Sequence, residues 1–563
     1  MSTGKALVLG DDTRSFLATV RSLGRRGITV HAAPANLRSP ALRSRYIAAI
    51  HDIPPWMGAG EAWLGAMEAL LRAERFDLVM PCNETAMLPL QRHRAQLEPL
   101  ARLAVPDDAA IEQLFDKHAT RELARRCGIP VAPGRLLRPD DTADILLAEF
   151  GPLVVLKPRR SYTLETIGSR AKVTIAHDVE TARHALQGID PEQTLVEQCF
   201  PGQGLGVSLL ASKGRVLQTF EHHRVHELAG ASYYRISAPV SPELAQACSA
   251  MVSAVGYTGL AMFEFKRNDR GHWILLEVNA RPWGSMPLPV ALGVDFPYRW
   301  YRLLTAGEET SAVAYRNGVY GRNLVPDLRT SVSEAAAAGR GGAASARLML
   351  VRGLELFRWP FGKEVHDVLV RDDLRPGLAE LAGLGASTCR RLTRELPGRI
   401  ARQRRSWMQQ VRRLAANRGD RYVLFVCQGN ICRSPFAAAL LRARLGQDSA
   451  IPVASAGMIP RPGRTTPPVG IQAAKSFGVD LAGHRSAWLT RQLADEASML
   501  VVFDTRNREA ILDRYPDLTA KIVQLLPDAE IADPIDGGAA EFQFCYRTIV
   551  EGTENLARIL RSN

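Results

Sequence analysis

The stretch YVLFVCQGNICRSPFAAALLRARL, residues 422–445, leaves its part of the chain little freedom. VLFV is short, β-branched and aromatic, which makes it a buried strand. FAAALLRARL is a helix, and only Gln428 to Cys432 separate Cys427 from Arg433. Ser434 is placed to cap that helix and Pro435 to occupy its first turn. The loop therefore wraps the amino end of a helix, whose unpaired N–H groups and dipole favour an anion. Gly429 lets backbone amides turn inward without steric cost. Such a nest, with Arg433 as a bidentate fork, fits a phosphate dianion. The same field favours the thiolate form of Cys427, a nucleophile at neutral pH.

A phosphate ester also needs an acid for its leaving oxygen. IADPIDGG supplies Asp533 in a loop, with Pro534 biasing it towards extended backbone. A bare Cys-x5-Arg carries little, but the strand, loop, helix and distant acid closely resemble the low-molecular-weight protein tyrosine phosphatases over residues 421 to 563. VASAG at 453 to 457, GVDLAGHRS at 478 to 486 and MLVVFD ending at Asp504 agree with that resemblance. It implies a parallel-sheet α/β domain in which Cys427 attacks, giving a phosphocysteine intermediate, while Arg433 holds the phosphoryl group. Asp533 would be acid, then base for the water. The loop residues Gln428, Gly429, Asn430, Ile431 and Cys432 would be fixed by a network of Asn430, Ser434, Ser455 and His484. The implied substrate is a phosphorylated protein or a small phosphate ester, and this half needs no cofactor.

Two departures from the family pattern bear on substrate choice. Aromatic walls are usual after the SAG motif and after the Asp-Pro, where this chain reads MIPRPGR and Ile535-Asp536. Ile431 argues against phosphoarginine, because relatives specific for it carry threonine there. Arsenate reductases share the loop but need shuttle cysteines, and residues 485 to 544 contain none. Cys432 is instead expected to form a reversible disulfide with Cys427 under oxidation.

At 563 residues the chain exceeds one hydrophobic core, so three or more domains are expected. No apolar run is long enough to span a bilayer. The opening MSTGKALVLGDD reads as strand and turn with no signal peptide, and the eight cysteines are mostly scattered singly. A reducing, cytoplasmic setting is the expectation. The net charge of +13 is uneven: from Arg390 to Arg421 there are eleven arginines and two acids. Trp407, Met408, Val411 and Leu414 fall at helical spacing within that run. Contact with an anionic membrane surface is one use of such a helix, but a solvated connector is the favoured reading. Nucleic acid is not expected, since no reading module accompanies the charge.

The first 110 residues alternate strand and helix: KALVLG, then DDTRSFLATVRSLGRRG, ITVHAA, a helix around Trp63 to Ala73, and FDLVMPC. That pattern predicts a parallel α/β sheet. Gly10 closes the first strand, but no G-x-G-x-x-G follows, so a dinucleotide site is not supported. LVVLKP then buries a lysine at the end of an apolar strand, which is costly unless an anion meets it. LAMFEFKRND and WILLEVNARPWGS are adjacent apolar strands; a hairpin joining them gathers Glu264, Glu277 and Asn279. Oxygen ligands of that kind suit Mg²⁺ held with nucleotide phosphates.

The order DK, LKP, VEQ, FEF, LLEVNAR resembles the ATP-grasp ligases, preceded by the domain usual before the grasp, over about residues 1 to 312. The resemblance implies an α+β grasp domain at 111–312 after a first domain at 1–110, with a basic helical linker or accessory region at 313–420. It implies that Lys117 and Lys157 bind ATP phosphates and that Glu197, with the backbone near Gln198 and Phe200, reads the adenine. Glu264, Glu277 and Asn279 would hold Mg²⁺ or Mn²⁺, and Arg281 would steady an acyl-phosphate made from a carboxylate for transfer to an amine. Gln203 stands where an acidic ribose ligand is usual. His222, His223 and Arg224 lie where such ligases bind the acceptor. A nucleotide-sensing, non-catalytic grasp half that regulates the phosphatase is the alternative of another class.

Overall fold

The computed structural model describes residues 4–56, 58, 60–167, 173–187, 189–228, 231–337, 352–353, 355, 358–359, 361–394, 397–416, 422–446, 449 and 451–562. The chain forms two compact units, Met1–Leu384 and Gly385–Asn563.

The first unit opens with a five-stranded, all-parallel sheet in the order Ile47–Ile50, Thr29–Ala33, Lys5–Leu9, Leu78–Pro81, Arg102–Leu103. Its central strands are apolar and buried over Ala6–Leu9 and Leu78–Pro81 because helices cover both faces. Two further sheets follow. A four-stranded antiparallel one orders Gly134–Leu136, Thr194–Gln198, Val154–Pro158 and Thr174–Ala176. The other has seven strands and contains the hairpin Gly259–Arg267 with Trp273–Asn279, in which Glu264 faces Glu277 and Met262 faces Asn279. A bulge after Glu264 breaks the strict alternation there.

The segment 313–420, expected as one accessory region and linker, is divided between the units. Tyr320–Arg322 and Glu364–His366 are the last two strands of the seven-stranded sheet. They are held by ion pairs inside the protein: Arg235 with Asp367, Arg21 with Asp373, and Arg322 with Glu364. Residues 338–351 of that segment lie outside the described residues.

The second unit has a four-stranded parallel sheet in the order Val453–Gly457, Tyr422–Cys427, Ala497–Val502, Ile522–Gln524. The basic helix Pro397–Ala416 is not a solvated connector. Val411 is fully buried, and Trp407 and Leu414 pack on the core beneath the sheet. Trp407 Nε1 donates to the Gln524 carbonyl at 2.8 Å and Gln410 to that of Ile522 at 3.1 Å. Arg404, Arg405, Arg412 and Arg413 are exposed, while the stripe that Trp407, Val411 and Leu414 define is already covered. Among the described residues no helix is long and apolar enough to cross a membrane.

Candidate active sites

In the second unit the Tyr422–Cys427 strand ends at Cys427 and the helix Arg433–Leu445 begins at Arg433. Ser434 is therefore inside the helix, not its cap; Cys432 holds the cap position and no side chain caps it. The Ser434 hydroxyl lies 3.0 Å from Cys427 Sγ and accepts from Asn430 Nδ2 at 2.9 Å. Cys427 Sγ also accepts the Asn430 backbone N–H at 3.2 Å. The left-handed residue of the loop is Asn430, with φ 52°, rather than Gly429. Asparagine tolerates this conformation, and its amide is used three ways, donating to Ser434 and Ser455 Oγ and accepting the N–H of Ala487 at 2.7 Å. His484 Nε2 donates to the Asn430 carbonyl at 2.7 Å, which fixes its neutral tautomer. Burial lowers the His484 pKa. The Gln428 carbonyl accepts the N–H groups of Met458 and Ile459.

Arg433 is buried, and its Nη atoms donate to Asp504 at 2.5 Å, Asp533 at 2.5 Å and the Ile531 carbonyl at 2.8 Å. Its Nε is a buried donor with no hydrogen-bond partner among the described residues. Burial opposes its charge, but Cys427, Asp533 and Asp504 outweigh that and hold the guanidinium above its ordinary pKa. Burial pushes the Cys432 thiol up, and that of Cys545, on the last helix, up to about 12.

Three contributors escaped the sequence reading. Asp504 orients Arg433 while capping the helix Thr505–Arg514 through Asn507 N–H; its place between a strand and a helix was a legible cap signal. Gly457 lies against the loop: a Cβ there would stand 2.8 Å from Asn430 N and Gly429 C. Arg464 donates to the Gly429 carbonyl at 2.6 Å, a long-range contact that no local pattern announces.

In the first unit the hairpin brings Glu264, Glu277 and Asn279 together. Glu264 accepts from Asn279 Nδ2 at 3.0 Å and pairs with Arg224. Burial pushes the Glu264 carboxyl up, against the pull of Arg224. Arg281 donates to Asn279 Oδ1 at 3.0 Å and to Glu84 at 2.7 Å, and its buried Nε has no hydrogen-bond partner among the described residues. Lys117 Nζ donates to Ser161 Oγ at 2.9 Å and lies 4.0 Å from Glu277. Lys117, Ser161, Glu277 and Asn279 line a cleft of about 110 Å³ with Glu84, Phe115 and Tyr162.

The anion that meets Lys157 is internal: it pairs with Glu197, whose other oxygen accepts from Arg121 at 2.8 Å. The Gln198 N–H donates to the Pro133 carbonyl at 2.9 Å, and the Phe200 carbonyl accepts from Lys266 at 3.1 Å. Gln203 donates to the Arg224 carbonyl at 3.0 Å. Of the basic side chains expected to face an acceptor, Arg224 is bound to Glu264 and His223 to Glu221. His222 is buried, and burial, then Arg235, drives its pKa well down.

A cysteine on a helix-nested loop with an arginine fork and a facing aspartate has the layout of a phosphatase site. Residues 422–563 match the family described as low molecular weight phosphotyrosine protein phosphatase. The probable low molecular weight protein-tyrosine-phosphatase EpsP of Ralstonia nicotianae is 33% identical over 134 residues, 23% of this chain and 90% of its own. The protein-arginine-phosphatase of Geobacillus stearothermophilus is 34% identical over 120 residues, 20% and 79% respectively. Through its C-terminal unit the chain belongs to the low-molecular-weight protein tyrosine phosphatase family. Residues 190–324 match a second family, described as ATP-grasp in the biosynthetic pathway with Ter operon. Among solved structures, the N5-carboxyaminoimidazole synthetase of Staphylococcus aureus with ADP is 12% identical, with a TM-score of 0.44 over 55% of this chain and 80% of its own. The L-amino acid ligase of Bacillus licheniformis is 18% identical, with a TM-score of 0.41 over 56% and 78%. Both are likenesses of outline.

Proposed function

We propose that the C-terminal unit hydrolyses phosphotyrosine-type monoesters through a phosphocysteine, and that the N-terminal unit activates a carboxylate with ATP and Mg²⁺ for coupling to an amine. The observation that carries the first part is the buried, unpartnered Nε of Arg433, beside Cys427 and Asp533. A phosphoryl group in the loop supplies the acceptor this donor lacks, and the backbone amides take its remaining charge. Cys427 Sγ attacks phosphorus and the ester oxygen departs with the proton of Asp533. Asp533 then takes a proton from the water that splits the thiophosphate bond, which returns Cys427 and releases inorganic phosphate. Ser434 and the Asn430 N–H steady the sulfur between the two steps. With MIPRPGR after the SAG motif and Ile535-Asp536 directly after Asp533-Pro534, the aryl ring of a substrate gets little help from stacking.

In the N-terminal unit the donor set fits a hard cation: two carboxylates and an amide on facing strands, with Lys117 close by. Glu264, Glu277 and Asn279 would hold Mg²⁺, which neutralises nucleotide phosphate charge when bound. Lys117 and Lys157 bind those phosphates, Lys157 by exchanging Glu197 for them. The backbone near Gln198 and Phe200 takes the adenine, and Arg281 steadies the acyl-phosphate.

The test of the phosphatase is rapid quenching with aryl phosphate followed by mass spectrometry, which should find phosphate on Cys427. Thiol-dependent consumption of arsenate with no ester hydrolysis would overturn it. Magnesium-dependent ADP release with pooled carboxylates and amines tests the ligase.

A further inference from the structure

The parallel sheet of the first unit reverses its order at one place. From Lys5–Leu9 the chain steps to Thr29–Ala33 and Ile47–Ile50 on one side, then returns to Leu78–Pro81 on the other. In open sheets of this kind ligands sit in the crevice outside the carboxyl ends of the two strands that flank such a reversal. Here the residues following those ends are Asp11 to Arg14 and Asn83 to Glu84. Glu84 is paired with Arg281. Arg14 has no such counter-charge: among the described residues its guanidinium makes no hydrogen bond or ion pair. It stands over the Tyr233 ring, 5.6 Å from the centroid, and fills the space that Gly284 leaves. A Cβ on Gly284 would lie 2.7 Å from Arg14 Nη1 and 2.8 Å from its Cζ. Gly284 belongs to the same loop as Arg281, whose own Nε is buried and unpartnered. The helix that starts at Ser15 does not account for the charge, since Asp12 already accepts the N–H groups of Arg14 and Phe16.

We infer that this crevice binds an oxyanion of the ligase's small-molecule substrate and that Arg14 is its cation, an assignment that rests on the ligase reading above. A guanidinium left without a carboxylate beside a catalytic cleft is a planar, bidentate receptor for a carboxylate or phosphate group. Tyr233 orients it from one face. Gly284 is the residue that gives it room, so the glycine in Ala-Arg-Pro-Trp-Gly serves the N-terminal sheet as well as its own turn. The parallel domain thereby supplies part of the specificity, while the hairpin supplies the reaction.

Two measurements on the full chain test this. In the first, phenylglyoxal labelling of Arg14 is followed by mass spectrometry without nucleotide, with exposed Arg75 as the internal standard. Sodium malonate or inorganic phosphate should slow labelling of Arg14 several-fold and leave Arg75 unchanged. Protection by malonate alone identifies a carboxylate site and by phosphate alone a phosphoryl site; protection by neither overturns the proposal. In the second, Arg14→Ala should raise KM for the carboxylate or the amine found in the ADP-release screen by roughly 10- to 100-fold, with KM for ATP unchanged. Gly284→Ala should act in the same direction by displacing the guanidinium, and Arg14→Lys should recover part of the loss. Unchanged KM for both the carboxylate and the amine in Arg14→Ala overturns the assignment and leaves the ligase reading standing. A wild type that releases no ADP with any substrate removes the ligase reading, and the labelling experiment then decides the crevice by itself.

Discussion

Asp533 accepts a 2.5 Å hydrogen bond from Arg433 Nη2 across a hundred residues of sequence. The guanidinium that would bind the phosphoryl group thus also positions the acid that would protonate its leaving oxygen. Asp533→Ala should slow hydrolysis of phenyl phosphate by ~10²–10⁴-fold, the usual range for a positioned acid. An activated ester with a good leaving group should suffer much less. Equal slowing of both esters would show that the aspartate serves the loop and not proton transfer.

Gly457 predicts a loop defect without a folding defect. A methyl group there meets backbone atoms of Gly429 and Asn430 at 2.8 Å, and backbone cannot rotate away as a side chain does. Gly457→Ala should lower kcat/KM on the order of 100-fold, the effect of displacing catalytic atoms by about 1 Å. Vanadate binding should weaken in parallel while the unfolding temperature changes little. Full activity in this variant would contradict the close approach.

His484 makes the loop sensitive to acid. Burial lowers its pKa from the ordinary ~6.5. Between the lowered value and ~6.5 the unfolded chain binds more protons than the folded one, so stability is complete above ~6.5 and is lost as pH falls below it. The temperature of half-inactivation of the phosphatase should therefore drop between pH 7.5 and pH 5.5. His484→Gln keeps a donor for the Asn430 carbonyl and cannot be protonated, so its drop should be smaller. An identical drop in both proteins would place the acid sensitivity elsewhere.

The two activities should separate by mutation. Glu277→Gln removes one charge from the hairpin pair and should abolish magnesium-dependent ADP formation while phosphatase kcat/KM is unchanged. Parallel loss of both would mean that the substitution damages folding or that the units are coupled.

Where the sequence carries local chemistry, the fold is legible in it. The alternation of strand and helix announces the parallel sheets, and the two runs LAMFEF and WILLEVN announce the hairpin that faces Glu264 with Glu277. Long-range choices are not announced. Nothing near Lys157 says that Glu197 meets it, nothing near Arg224 says that it binds Glu264, and the glycine that matters to the phosphate loop lies in another strand. Gly429 looked like the turning residue because glycine costs nothing at positive φ, yet Asn430 adopts that conformation and its amide is held from three sides. The basic helix misled for a related reason. Its charge is visible in sequence, whereas the partner of its apolar stripe lies more than a hundred residues further on.

That docked helix sets where the phosphatase can be cut. A fragment starting at Tyr422 matches the family's usual length but strips Trp407, Val411 and Leu414 from the core, baring an apolar seat on a highly charged protein. Such surfaces drive self-association. A fragment starting at Gly385 keeps the seat filled and is expected to remain monodisperse in gel filtration, where the shorter one should not. The start of the family match at Tyr422 is therefore not the point at which the C-terminal unit becomes independent of what precedes it.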